Sequence, residues 1–124
     1  MFSIECDPDH RLMRVQLIGF ATAEEVQDYA RQKEAAIIEH GWGSGAFDTL
    51  IDATSADVQS QTTVDAFIAM LTKAKHVPRR SAIVFGSSLA RLQTKRMVVG
   101  SGTTTGLFSS LADAKQWLLE DAPA

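Results

Sequence analysis

Hydrophobic and polar residues alternate from the start of the chain. Phe2, Ile4 and Cys6 interleave with Ser3, Glu5 and Asp7, the two-residue period of a strand with one face in water. Asp7-Pro8-Asp9-His10 is turn chemistry, because proline fixes φ and the flanking aspartates bond to local backbone. A second strand follows from Leu12 to Phe20, with Met13, Val15 and Leu17 alternating against Arg14 and Gln16. The pair predicts an antiparallel hairpin. The period then lengthens. Thr22-Ala23-Glu24-Glu25 is a capping box, and Val26, Tyr29, Ala30 and Ile37, with Lys33 partly joining them, mark the inner stripe of a helix from Ala23 to His40. Gly41 supplies the left-handed residue that ends it.

The stretch Phe47-Asp48-Thr49-Leu50-Ile51-Asp52-Ala53-Thr54 predicts a central strand. It delivers Asp52, Thr54, Ser55 and Asp57 to one end of a sheet. The polar run Gln59 to Thr63 then opens a second helix near Thr62 or Thr63. Val64, Phe67, Ile68 and Leu71 lie at helical spacing and are expected in the core, and Pro78 stops the helix near His76. Ala82-Ile83-Val84-Phe85 is a short apolar run suited to a strand covered on both faces. Ser87 or Ser88 caps a third helix carrying Leu89, Leu92, Arg96 and Val99, and Gly100-Ser101-Gly102 ends it. Thr103 to Phe108 is β-prone. Ser110-Leu111-Ala112-Asp113 caps a last helix that turns Leu111, Ala114 and Leu118 inward, with Trp117 or Leu119 flanking. This helix closes near Asp121, with Pro123 in the tail.

The order β-β-α-β-α-β-α-β-α predicts one α/β domain over residues 1–124. Its sheet is mixed, with parallel core strands and an antiparallel N-terminal edge strand, flanked by four helices. Length agrees: 124 residues suit one domain able to bury its own core. Hydrophobic residues make up 45% and charged residues 22%, a globular rather than disordered balance. The single cysteine, Cys6, allows no internal disulfide and fits a reducing, cytoplasmic setting. No basic, apolar leader opens the chain, and no run approaches the roughly 18 apolar residues of a membrane span.

Charge adds one asymmetry. Residues 1–65 hold 12 acids and 4 bases, and residues 66–124 hold 3 acids and 8 bases. Lys73, Lys75, Arg79, Arg80, Arg91, Lys95 and Arg96 fall in a stretch without an acid. Either the halves neutralise one another on folding, or these bases face an anionic partner or membrane surface. Nucleic acid is not expected, since net charge is −3 and no aromatics interleave with the bases.

Catalytic chemistry is faint. Asp52 and Asp57 lack the further acid or histidine that acid/base or metal work requires, so turn and capping roles fit them better. His10, His40 and His76 fall at a turn and at helix ends. The Gly100 to Gly106 run follows a helix rather than a strand and lacks the P-loop lysine, so it reads as a connector. Ser60, Thr62 and Thr63 could take phosphate at a helix N-terminus, or simply cap it. Ser87 and Ser88 offer hydroxyls to an anion beside Arg91 and Lys95. No metal, cofactor or catalytic residue is expected.

The hairpin start, the Leu50-Ile51-Asp52 strand, and Ala82-Ile83-Val84-Phe85-Gly86-Ser87-Ser88 before a basic helix resemble SpoIIAA-like proteins of the STAS type. So does the ending Phe108-Ser109-Ser110-Leu111-Ala112-Asp113-Ala114-Lys115-Gln116-Trp117-Leu118. The resemblance implies strands in sequence order, a bacterial cytoplasmic origin, and a regulatory role of the anti-sigma factor antagonist kind, switched by a phosphoserine in an Asp-Ser-Ser-Gly motif. This chain departs there. It has Ser60-Gln61-Thr62-Thr63-Val64, so no family phosphosite carries across. Three readings follow. The first is a non-enzymatic module binding a protein partner at the turn after the central strand. The second is a holder of an apolar or anionic ligand, associated peripherally with a membrane, whose second or third helix tilts to admit it. The third is an enzyme, for which no constellation is visible. A homodimer, acidic half against basic half, is compatible with the first two.

Overall fold

The computed structural model describes residues 1–98 and 104–120 of the chain. Its elements are β1 (Phe2–Asp7), β2 (Leu12–Gly19), α1 (Ala23–His40), β3 (Asp48–Ala56), α2 (Gln61–Lys73), β4 (Ser81–Phe85), α3 (Ser88–Val98), β5 (Thr105–Phe108) and α4 (Leu111–Leu119). Type and order are those the periodicities predict. The expected positions of Val99, Gly100, Ser101, Gly102, Thr103, Asp121 and Pro123 lie outside the described residues.

The strands form one sheet in the order β1-β2-β3-β4-β5. β1 and β2 are antiparallel, with Phe2 opposite Leu17 and Asp7 opposite Leu12. The remaining pairs are parallel, and β3 is the middle strand. Each parallel crossover steps one strand in the same direction. Right-handed connections therefore place α1, α2 and α3 on the same face. Contacts of α1 with α2 and of α2 with α3 agree with that placement, and α4 instead meets β3, β4 and β5. On the three-helix side, Met13 and Val15 pack with Tyr29, Ile37, Trp42 and Phe47. On the other side, Leu50, Ala82 and Val84 pack with Ala114 and Leu118.

The caps are local and match their sequence signals. Thr22 accepts the Glu25 N–H at 3.1 Å, and Glu25 reaches back to the Thr22 N–H. Gly41 closes α1 at φ 68, where a side chain would be strained. Val26, Tyr29, Lys33 and Ile37 are its buried stripe.

Two helices differ from expectation. α2 starts at Gln61, capped by Ser60, and ends at Lys73 rather than near His76. Ala74 takes an extended backbone and the residues after it leave the helix, held by tethers: the Val77 N–H donates to Ser44 Oγ, the Val77 carbonyl accepts from Gly45, and His76 pairs with Glu34. The inner face of α2 is centred on Thr63 and Val64, with Phe67 and Met70 beside the core, so Ile68 is exposed rather than buried. Leu111 is likewise exposed, because Ala114 and Leu118 make the sheet contact of α4.

Arg79 and Arg80 tie the ends of the layers together. The Arg79 guanidinium makes two bonds to the Asp48 carboxylate, at 3.0 and 2.9 Å, and donates to the Leu118 carbonyl at 2.7 Å. Arg80 donates to the Trp117 carbonyl and stacks 4.8 Å from the centre of that indole. Both were expected as basic surface. The acceptors offered by Asp48 and by the last turn of α4 make them structural instead. Arg79→Ala strands a largely buried carboxylate and should lower unfolding free energy by about 2–3 kcal/mol. The exposed Lys73→Ala should change it by less than about 0.5 kcal/mol. Urea denaturation of the two variants measures the contrast, and equal effects would contradict a structural role for Arg79.

Candidate functional site

The carboxyl ends of the parallel strands meet three chain segments: the β2–α1 loop, the β3–α2 turn and the start of α3. One side chain joins the first two. Gln59 is only 7% exposed. Its Oε1 accepts the Ala21 N–H at 2.8 Å, and its Nε2 donates to the carbonyls of Gly19 at 3.1 Å and Asp57 at 2.5 Å. The third segment is added by a reciprocal pair. The Gln59 N–H donates to Gln93 Oε1 at 2.8 Å, and Gln93 Nε2 donates back to the Gln59 carbonyl at 2.7 Å. Thr63 completes the set, its hydroxyl donating to the Ala21 carbonyl at 2.6 Å. At the end of β4, Gly86 lies where an added Cβ would sit 2.5 Å from the Thr54 carbonyl oxygen. Only glycine lets the two strand ends approach this closely.

Around this fixed frame stand exposed apolar side chains. Phe20 is 70% and Leu89 62% exposed, and Val58 and Leu92 are also exposed. Phe20 sits between Gly19 and Ala21, Val58 precedes Gln59, and Leu92 precedes Gln93, so three of these residues adjoin the groups that the amide bonds join. The sequence pattern singles out neither glutamine: it places Gln59 in a polar run opening a helix and Phe20 at the end of a strand. The available signal was an aromatic outside any amphipathic period.

The predicted site residues divide accordingly. Thr54, Ser55, Ser60, Thr62, Ser87 and Ser88 are exposed on the rim side of their elements. Ser60 caps α2, accepting the Thr63 N–H at 3.2 Å, and Ser87 accepts the Ala90 N–H at 3.1 Å. Thr63 leaves the candidate surface: it is 1% exposed and its hydroxyl is committed to Ala21. Asp52 accepts from the Thr54 N–H and hydroxyl, at 3.1 and 2.7 Å. It points to the α4 face, into a groove shared with Leu111 and Lys115, and so does not join the serines. No His/Cys/Asp/Glu cluster suited to a metal occurs among the described residues. Lys73, Lys75, Arg91, Lys95 and Arg96 are exposed, and none forms an ion pair among the described residues.

Behind the rim, between the sheet and the three-helix layer, lies a cavity of about 110 Å³. Val15, Leu17, Ile51, Ile83 and Phe67 give it apolar walls. Asp57, Gln59 and Gln93 border it, as do Lys33, Thr49 and Ser81. Thr49 and Ser81 are register partners near the amino ends of β3 and β4, whereas Gln59 lies past the carboxyl end of β3, so the polar groups mark opposite ends. Burial pushes the Lys33 ammonium below its ordinary range, and Glu34 opposes this only in part. Burial also pushes the Tyr29 phenol well above its usual range, so Tyr29 stays neutral against the stacked Phe2 ring 4.6 Å away.

No family model matches the chain, and no curated protein matches it. Solved structures do. An uncharacterised protein of the DUF3478 family with a SpoIIAA-like fold, from Shewanella loihica PV-4, superposes with a TM-score of 0.71 at 22% identity, over 95% of this chain and 92% of that one. An anti-sigma factor antagonist from Mycobacterium paratuberculosis superposes with a TM-score of 0.61 at 11% identity, over 95% of this chain and 94% of its own. At such identities the likeness is one of fold, and the expected SpoIIAA-like architecture is the one present. No described helix is long and apolar enough to cross a membrane.

The rim should be sensitive to its amides. Gln59→Ala leaves the buried Ala21 N–H without a partner and should lower unfolding free energy by about 2–3 kcal/mol. Gln93→Ala should cost about 1 kcal/mol, and Thr62→Ala under about 0.5 kcal/mol. Urea unfolding followed by tryptophan fluorescence ranks the three, and a Gln59→Ala effect no larger than that of Thr62→Ala would show the frame is not held this way.

Proposed function

We propose, with the SpoIIAA-like fold as premise, that this chain is a non-enzymatic regulatory module that docks a protein partner on the rim at the carboxyl ends of its strands. One observation carries the reading. Phe20, Val58, Leu89 and Leu92 expose large apolar surface from three segments that Gln59 and Gln93 hold in fixed relation. Grouped, pre-ordered apolar side chains are what a binding hot spot needs, because little conformational freedom remains to be lost on association. Arg91 on the same helix adds a cation at the edge, which suits a partner with an acidic border. The likeness in fold to an anti-sigma factor antagonist supports a regulatory role of this kind. The missing phosphoserine motif argues that any switch acts otherwise.

A second reading, peripheral attachment to an anionic membrane, draws on Arg91, Lys95 and Arg96 beside exposed Leu89 and Leu92 on α3. It predicts sedimentation with anionic vesicles that is lost at high salt. A second copy of the chain is the other occupant the rim could take.

A photo-crosslinking amino acid at Val58, introduced in the native host, separates these outcomes. The expected result is a discrete adduct with a different protein. The same probe at Ile38, exposed on α1 away from the rim, should not form it. Phe20→Asp with Leu89→Asp should weaken capture at least about tenfold, or 1.4 kcal/mol, while shifting stability by less than about 1 kcal/mol. Adducts confined to lipid or to a second copy would replace the partner reading with one of the other two.

A further inference from the structure

The cavity behind the rim contains groups that the docking reading does not use. Lys33 is 8% exposed and occupies the inner stripe of α1 between Tyr29 and Ile37. Its ammonium makes no hydrogen bond or ion pair among the described residues, and the Glu34 carboxylate, which pairs with His76, offsets its burial only in part. Thr49 is 2% exposed, and its Oγ1 is buried without a partner. Both line the same cavity. An unpaired cation and an unpaired hydroxyl bordering apolar walls are each unfavourable. A group that accepts from both and carries one negative charge would relieve both at once.

We propose that this cavity binds a small amphipathic carboxylate, its carboxylate at Lys33 and Thr49 and its apolar body along Ile51 and Ile83. One cation and one hydroxyl match a monoanion better than a phosphate dianion. Size restricts the body. A cavity of about 150 Å³ takes benzene. This one, at about 110 Å³, fits a chain of roughly four to six carbons and not a long acyl chain unless the helices part. The cavity wall also includes Ala74, Val77 and Pro78, from a segment outside any helix or strand. The inference is independent of what docks on the rim.

The test titrates the full chain with sodium hexanoate, and separately with hexan-1-ol, a neutral molecule of the same length, following ¹H–¹⁵N spectra. Hexanoate should bind saturably and shift the amides of Thr49, Ile51 and Ile83. Lys33→Met should weaken hexanoate binding at least tenfold and leave hexanol binding unchanged or tighter. Thr49→Val should weaken hexanoate binding several-fold. Without ligand, Lys33→Met should melt above the wild type, because an unpaired buried cation is replaced by an apolar chain of similar length. Absence of saturable hexanoate binding, equal hexanoate affinity in Lys33→Met, or a lower melting temperature for that variant overturns the proposal.

Discussion

Each step from β2 to β5 moves one strand further in the same direction, and the handedness of a parallel crossover then leaves its helix no choice of face. The rest of the molecule follows from this constraint. α1, α2 and α3 crowd onto one side, and β3 and β4 are buried. α4, bound by no crossover, is free to cover the other side with Ala114 and Leu118. The three crossover helices all run back from the carboxyl ends of the strands. Their starting turns and the loops before them therefore collect at one rim, which is where an open sheet of this kind offers a crevice.

Beside the apolar packing of Leu17, Ala21 and Val26, an amide holds that rim. Backbone groups at loop ends must find partners when buried, and short loops rarely supply them to each other. Gln59 supplies acceptor and donor together, joining Gly19, Ala21 and Asp57, and Gln93 adds the middle of α3. With the backbones satisfied in this way, Phe20, Val58, Leu89 and Leu92 are left facing outward. Large apolar side chains that a fold could have buried, yet keeps in water on a fixed frame, are better explained by something they meet than by the fold itself.

The fold was legible where its causes are local. The capping box at Thr22, the N-cap at Ser110, the αL glycine at position 41 and the two-residue period of β1 and β2 depend on neighbours a few residues away, and each lies where the pattern placed it. The site was less legible because its causes are distant. Gln59 and Gln93 are 34 residues apart, and nothing in either local sequence announces the other. Thr63 reads as a polar surface residue until Ala21, 42 residues earlier, offers its carbonyl. Arg79 reads as a surface base until Asp48 and the end of α4 close around it. Lys33 showed its position on an inner stripe but not that Glu34, which pairs with His76, makes no ion pair with it.

The rim and the cavity are not separate features. Gln59 and Gln93 border the cavity with the same side chains that fix the loops of the rim. Thr49 stands at the opposite end and Lys33 borders the same space, with Ile51, Ala53, Ile83 and Phe85 also lining it. Close-packed interiors transmit displacement because neighbouring side chains have nowhere to yield. Here the cavity provides that room on one side of the amide pair, while the hydrogen bonds restrain it on the other. If the cavity is filled, the side chains through which the rim would register it are Gln59 and Gln93, with Ala56, Asp57 and Ala90 beside them on the same wall.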